Sequence, residues 1–169
     1  MKIINLLIVF TMMCLTCQIS SAFEVLNGEI IEITGPDDLE LDPSNTVLAV
    51  DVFGNSDSVI NDVNFYTDRA GLGDLVTGEG IVEKDGVVIT TTATNTIDNW
   101  ANAQTFTGDD ADSVFNLSDV MRDIRWSAAP NPITIDIEGL NKGGIYNVKL
   151  LFNEGADSCL LYTSPSPRD

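Results

Sequence analysis

Two runs near the end of the chain, Ile133-Thr134-Ile135-Asp136-Ile137-Glu138 and Ile145 to Glu154, alternate apolar and polar residues, with the turn-forming stretch Gly139 to Gly144 between them. Only an extended strand puts every second side chain on one face, so this pattern restricts the region to β-structure. Three isoleucines share the buried face of the first run, and Tyr146, Val148, Leu150 and Phe152 share a face of the second. The same alternation appears at Glu29 to Thr34 and at Thr46 to Phe53, where Leu48, Val50 and Val52 oppose Val47, Ala49 and Asp51. Asp57-Ser58 and Asn61-Asp62 mark turns before a short strand, Val63 to Tyr66. Arg69 to Gly80, with Gly71, Gly73, Gly78 and Gly80, reads as a long loop. Lys84-Asp85-Gly86 signals a tight turn ahead of the β-branched run Val87 to Thr94.

One short helix is predicted near 116–126. Leu117, Val120, Met121 and Ile124 fall at helical spacing, Asn116 or Ser118 can cap the start, and Pro130 and Pro132 stop its continuation. Short strands, Gly/Asn/Asp turns and one helix make the expected fold class mostly β, an antiparallel β-sandwich.

Both termini read differently from the middle. Met1-Lys2, an apolar run from Ile3 to Met13 and the small residues Ser20 and Ala22 have the layout of a secretory signal peptide, residues 1–22, cleaved before Phe23. The apolar run is too short for a transmembrane helix, so no membrane insertion is expected after cleavage. The string from Cys159 to Asp169 reads codon for codon as the translation of a transposase adapter used in sequencing libraries. The natural protein is accordingly expected to continue beyond Ser158. Residues 23–45 form a leader with a first strand, and 46–158 an incomplete sandwich domain. Cys14 and Cys17 leave with the leader and Cys159 with the tail, so the mature segment carries no disulfide.

The chain has 26 Asp+Glu, 8 Lys+Arg and no histidine. Setting aside Asp169, Lys2 and Arg168 leaves 25 acidic against 6 basic residues, so the acidity belongs to the folded segment. Such a charge repels a phosphate backbone and argues against nucleic acid as a partner. Without histidine, Ser-His-Asp or Cys-His catalysis, a histidine zinc site and an imidazole pH switch are all excluded for this chain.

Asp123-Ile124-Arg125-Trp126, then Ile133 to Leu140, then Gly144-Ile145-Tyr146-Asn147-Val148-Lys149-Leu150-Leu151-Phe152-Asn153-Glu154 resembles the closing half of malectin-like and galactose-binding-like jelly-roll domains of exported bacterial proteins. Val47 to Phe53 and Val63 to Phe65 resemble the opening strands. The likeness spans roughly Thr46 to Glu154 and implies a jelly-roll-like sandwich lacking a terminal strand, commonly Arg-Phe-Asp-Val-like, because the adapter string intervenes.

Candidate chemistry is carried by a few residues. Carbohydrate modules stack a pyranose on an exposed aromatic ring while Asn, Asp and Arg bind its hydroxyls. Trp100, set among Asn95, Asp98, Asn99 and Asn102, is the sharpest such platform, with Tyr66 as a second aromatic; Phe106 and Trp126 are further candidates, Trp126 suiting the core better. The ligand set expected is Trp100, Asn99, Asn102 and Tyr66, and the partner a polysaccharide or glycan. Asp109, Asp110 and Asp112 are the metal candidates, since Ca²⁺ takes several carboxylate oxygens. They fail the EF-hand pattern: counted from Asp110, Phe115 and Met121 stand where glycine and glutamate belong. A solvated acidic loop is the other reading of these residues. Asp136, Glu138 and Glu154 lie on or beside strands, but in the outward phase that suits solubility as well as glycoside hydrolysis. No catalytic residue and no obligatory cofactor are assigned. The functional expectation is a non-catalytic binding module of a larger secreted, periplasmic or cell-surface protein. The alternatives are a structural or adhesive spacer and a fragment of a secreted glycoside hydrolase.

Overall fold

A computed structural model describes residues 4–9, 31–69, 78–97, 99–100, 103–128 and 130–151; for 4–9 only the backbone is considered. Among these, ten strands and one α-helix follow in the order β1 (Ile4–Val9), β2 (Thr46–Asp51), β3 (Ser58–Ile60), β4 (Val63–Thr67), β5 (Gly78–Lys84), β6 (Val87–Ala93), β7 (Asn95–Ile97), α1 (Ala111–Val120), β8 (Ile124–Trp126), β9 (Thr134–Glu138) and β10 (Tyr146–Leu151). No helix among the described residues is long and apolar enough to cross a membrane.

The fold is mostly β with one short helix. A five-stranded sheet runs β10-β1-β2-β4-β3, a three-stranded sheet runs β5-β6-β9, and β7 pairs with β8. The two smaller sheets are antiparallel throughout, as is the β3/β4 pair. The β10/β1, β1/β2 and β2/β4 pairs are parallel, where an all-antiparallel sandwich was expected. Parallel strands are stable where both faces are covered, and β2 is covered on both. Leu48, Val50 and Val52 face a core shared with Val82, Val87, Ile89 and Ala93 of the three-stranded sheet. Ala49, with Ile60, Val63 and Phe65, lies in a second core under Leu117, Val120 and Met121. Fully burying side chains such as Phe65 or Leu117 contributes about 1.5–3 kcal/mol each.

Local sequence accounts for most element boundaries. Asp85 and Gly86 take φ of 51° and 82°, the two left-handed positions of a two-residue hairpin turn, and join β5 to β6 with Lys84 opposite Val87. Part of the expected loop 69–80 is strand, since β5 begins at Gly78; a side chain on Gly80 would run into the Asp68 carboxylate and the Arg125 guanidinium. α1 starts five residues earlier than 116. Asp110 caps it, accepting from the Asp112 N–H at 3.1 Å and the Ser113 hydroxyl at 2.5 Å, and neither Asn116 nor Ser118 does. The helix ends at Val120 because Ile124 to Trp126 extend to pair with β7.

The segment 31–34 is not a strand, although Ile33 packs on the second core. Asp38 takes its polar groups instead, accepting from the Thr34 N–H at 2.7 Å and the Thr34 hydroxyl at 2.8 Å. On β10, Leu151 is buried in the second core while Leu150 is 43% exposed, the reverse of the face expected for Leu150. The leader-like run Ile4–Val9 forms β1; its expected cleavage point, like the adapter-like tail, lies outside the described residues.

Candidate functional site

The expected ligand residues separate in space. Tyr66 packs against the core between the two larger sheets, and the Lys84 ammonium lies 5.8 Å from its ring centroid. Trp100 stands instead at the exit of β7, beside the end of α1, and is half-buried. Its backbone N–H donates to the Arg122 carbonyl at 2.8 Å. Asn99 before it is exposed, takes φ of 51°, and donates its N–H to Asp123 Oδ1 at 2.7 Å. Asparagine tolerates this left-handed conformation better than most residues. Two consecutive main-chain bonds therefore pin the Asn99-Trp100 pair to the segment joining α1 to β8. Asn102 lies outside the described residues. Phe106 belongs to the second core, and Trp126 is half-buried with an Nε1 that has no hydrogen-bond partner among the described residues.

The expected metal residues do not converge. Among the described residues no group of three or more metal-ligating side chains is arranged to hold an ion. Asp109, Asp110 and Asp112 are exposed, and Asp110 spends its oxygens on the helix cap. The Ser113 hydroxyl, ahead of the Asp112 and Ser113 backbone, holds the Asp110 carboxyl below its usual range. Asp110→Ala is expected to lower the melting temperature while Asp110→Asn, which keeps the acceptor, is close to neutral; calorimetry in the presence and absence of Ca²⁺ measures both, and a Ca²⁺-dependent shift lost in each variant would restore the metal reading. Asp136 and Glu138 are exposed on β9, as their outward phase predicts.

Sequence reasoning missed a buried polar network behind the Trp100 loop. Asp68, which follows β4 and is 0% exposed, receives both Arg125 Nε at 2.8 Å and Arg125 Nη2 at 3.2 Å. The Phe53 N–H donates to the same carboxylate at 2.7 Å, and the Thr91 hydroxyl donates to its Oδ2. The guanidinium, 2% exposed, also lies 5.5 Å from the Phe53 ring centroid. Phe53 itself sits at φ of 66°, a conformation costing on the order of 1–3 kcal/mol outside glycine, held in place by the Asp68 bond.

Beside this pair is a second buried carboxylate, with no counter-ion among the described residues. Asp51 ends β2 at 2% exposure, Gly54 lies against its carboxyl group, and its Oδ1 has no hydrogen-bond partner among the described residues. Burial pushes its pKa well above the usual carboxylate range, and the charges of Asp123, Asp119, Asp68 and Asp57 push it further. Asp51 and Asp68 come from the carboxyl ends of two parallel neighbours, while Asp123 comes from the α1 to β8 connection. The one sequence hint was the unbroken apolar run Val47 to Val50, longer than a one-sided strand needs. No family model, curated protein or solved structure matches this chain.

Proposed function

We propose that the chain is a non-catalytic extracellular binding module for carbohydrate, part of a larger secreted or surface protein, with Trp100 as its stacking platform. The observation that carries this reading is the pinned Asn99-Trp100 pair: a half-buried tryptophan whose backbone and that of the residue before it are each held by a hydrogen bond, next to an exposed asparagine. A loop backbone already held in place loses less conformational freedom when a sugar stacks on the ring it carries, which favours binding. The resemblance of Thr46 to Glu154 to malectin-like and galactose-binding-like domains supports the same reading. Tyr66, covered between sheets and engaged with Lys84, is a packing residue in this scheme.

A glycan array probed with the wild-type protein and with Trp100→Ala tests it. We expect binding by the wild type and about tenfold weaker binding by the variant, corresponding to about 1.4 kcal/mol. Circular dichroism should be unchanged. Absence of binding by the folded wild type would overturn the carbohydrate reading and leave a structural or adhesive spacer.

A further inference from the structure

The most exposed large apolar side chain among the described residues is on α1: Phe115, at 70% exposure. On a helix the residues three before and four after share its face, and here both are carboxylates, Asp112 and Asp119. Asp119 stands in the last turn, where the helix dipole disfavours a negative charge, and no basic residue of that turn offsets it. Asp112 also lines a recess between α1 and β3, together with Val59, Asp62 and Asn116, so the recess and the exposed ring adjoin. Val59 is itself 45% exposed. Two bonds tie the walls of the recess together: Asn116 Nδ2 donates to the Val59 carbonyl at 2.8 Å, and the Asn61 N–H donates to the Ser113 hydroxyl at 2.9 Å. The carboxylates of Asp62, Asp112 and Asp119 belong to no ion pair among the described residues. Arg69, Lys84, Arg125 and Lys149 are engaged at Phe53, Tyr66, Asp68 and Glu40 respectively.

We propose that this surface, from Val59 and Asp62 across Asp112 to Phe115 and Asp119, is a docking site for a basic segment of a partner protein, with an arginine of that segment stacked on Phe115. Charge complementarity selects the occupant. A folded segment with 25 acidic against 6 basic residues repels a second copy of itself and attracts a cationic chain. A guanidinium suits the site better than an ammonium, because its plane lies flat on the ring while its N–H groups reach a carboxylate one turn to either side. An apolar neighbour of that arginine enters the recess against Val59, and a second basic residue meets Asp62. The ring and the recess supply the hold, while the carboxylates supply orientation and speed of encounter. None of these residues belongs to the Trp100 platform, so the site stands whether or not the chain binds carbohydrate.

An acetylated Gly-Arg-Leu-Arg-Gly peptide titrated into the full chain, followed by the backbone amide signals in NMR, tests the proposal. The expected result is a saturating shift confined to residues 59–62 and 112–119. Half-saturation should need about fivefold more peptide in Phe115→Ala, the size of effect that a stacked cation supplies at an exposed ring. Added salt should weaken binding to the wild type as well. Phe115 is mostly exposed, so circular dichroism of the variant should match the wild type. Should Phe115→Ala fail to fold, the unsubstituted chain still decides: the same peptide with citrulline in place of arginine keeps the shape, lacks the charge and should produce no shift. Shifts spread over the whole acidic surface, equal shifts from spermine, or an affinity unchanged in Phe115→Ala would each overturn the site in favour of bare charge attraction. Sedimentation that shows the wild type dimerising and Phe115→Ala monomeric, with no peptide bound, would overturn it in favour of a second copy of the chain.

Discussion

Arg125→Met is expected to cost about 3–5 kcal/mol of folding free energy, because it leaves the Asp68 charge buried with only the Phe53 N–H and the Thr91 hydroxyl to satisfy it. A loss of that size is comparable to the whole stability of many domains, so the variant should be largely unfolded near its usual working temperature. Urea denaturation followed by circular dichroism measures it. The double variant Arg125→Met/Asp68→Leu removes both charges together and should recover most of the loss, since a buried ion pair contributes little beyond an apolar pair of similar volume. A single variant within about 1 kcal/mol of wild type would show that solvent reaches Asp68 and that the pair is not the buried anchor described here.

Asp51→Asn should act in the opposite direction. At neutral pH the wild type either ionises a buried group or binds a proton from dilute solution, and the isosteric amide avoids both. A gain of about 1–3 kcal/mol is expected there. The sign of the pH dependence follows from the raised pKa. The folded state holds the Asp51 proton more tightly than the unfolded chain does, so its stabilising contribution is fully present below the ordinary value of 3.8 and is lost as pH climbs through the raised one. The advantage of Asp51→Asn should therefore shrink to nothing as pH falls toward 3.8. Asp38, Asp42 and Asp110 run the other way: hydrogen bonds from Thr34, Ser44 and Ser113 respectively lower their pKa values. Their contribution is present above the ordinary range and disappears in acid, in both proteins. Thermal melts across pH should thus show the wild type declining on both flanks and Asp51→Asn only on the acid one. A variant no more stable than wild type at neutral pH would refute the account of Asp51.

What the sequence made legible is local. Asp85-Gly86 names its own turn, since the left-handed conformations needed there suit these two residues, and the β-branched run after it has few alternatives to a strand. Thr46 to Asp51 was legible in its position and phase, but not in what covers its second face: Ala49 looked like an outward residue and lies under α1. The helix was displaced because two caps compete in 110–118, and Asp110 wins by bonding both Asp112 and Ser113. In the candidate site, the Asn-rich setting of Trp100 was visible, whereas its anchors Arg122 and Asp123 lie beyond a helix. Asp68, just after β4, and Arg125, within β8, meet only through the tertiary fold, and no local pattern announces a contact between residues so far apart in sequence.

The place of β1 carries a consequence for the order of events during synthesis. Ile4 pairs with Tyr146 and Val9 with Leu151, so the central sheet joins almost the first described residue to the last. Pairing over such a separation is slow, because a long loop must close before the contact gains anything. A ribosome releases Ile4–Val9 long before Tyr146–Leu151 has been made, and for that interval the early strand has only β2 as a neighbour. Until β10 has been made, the pair of β1 and β2 keeps an open edge, and the last described strand is the one that closes it.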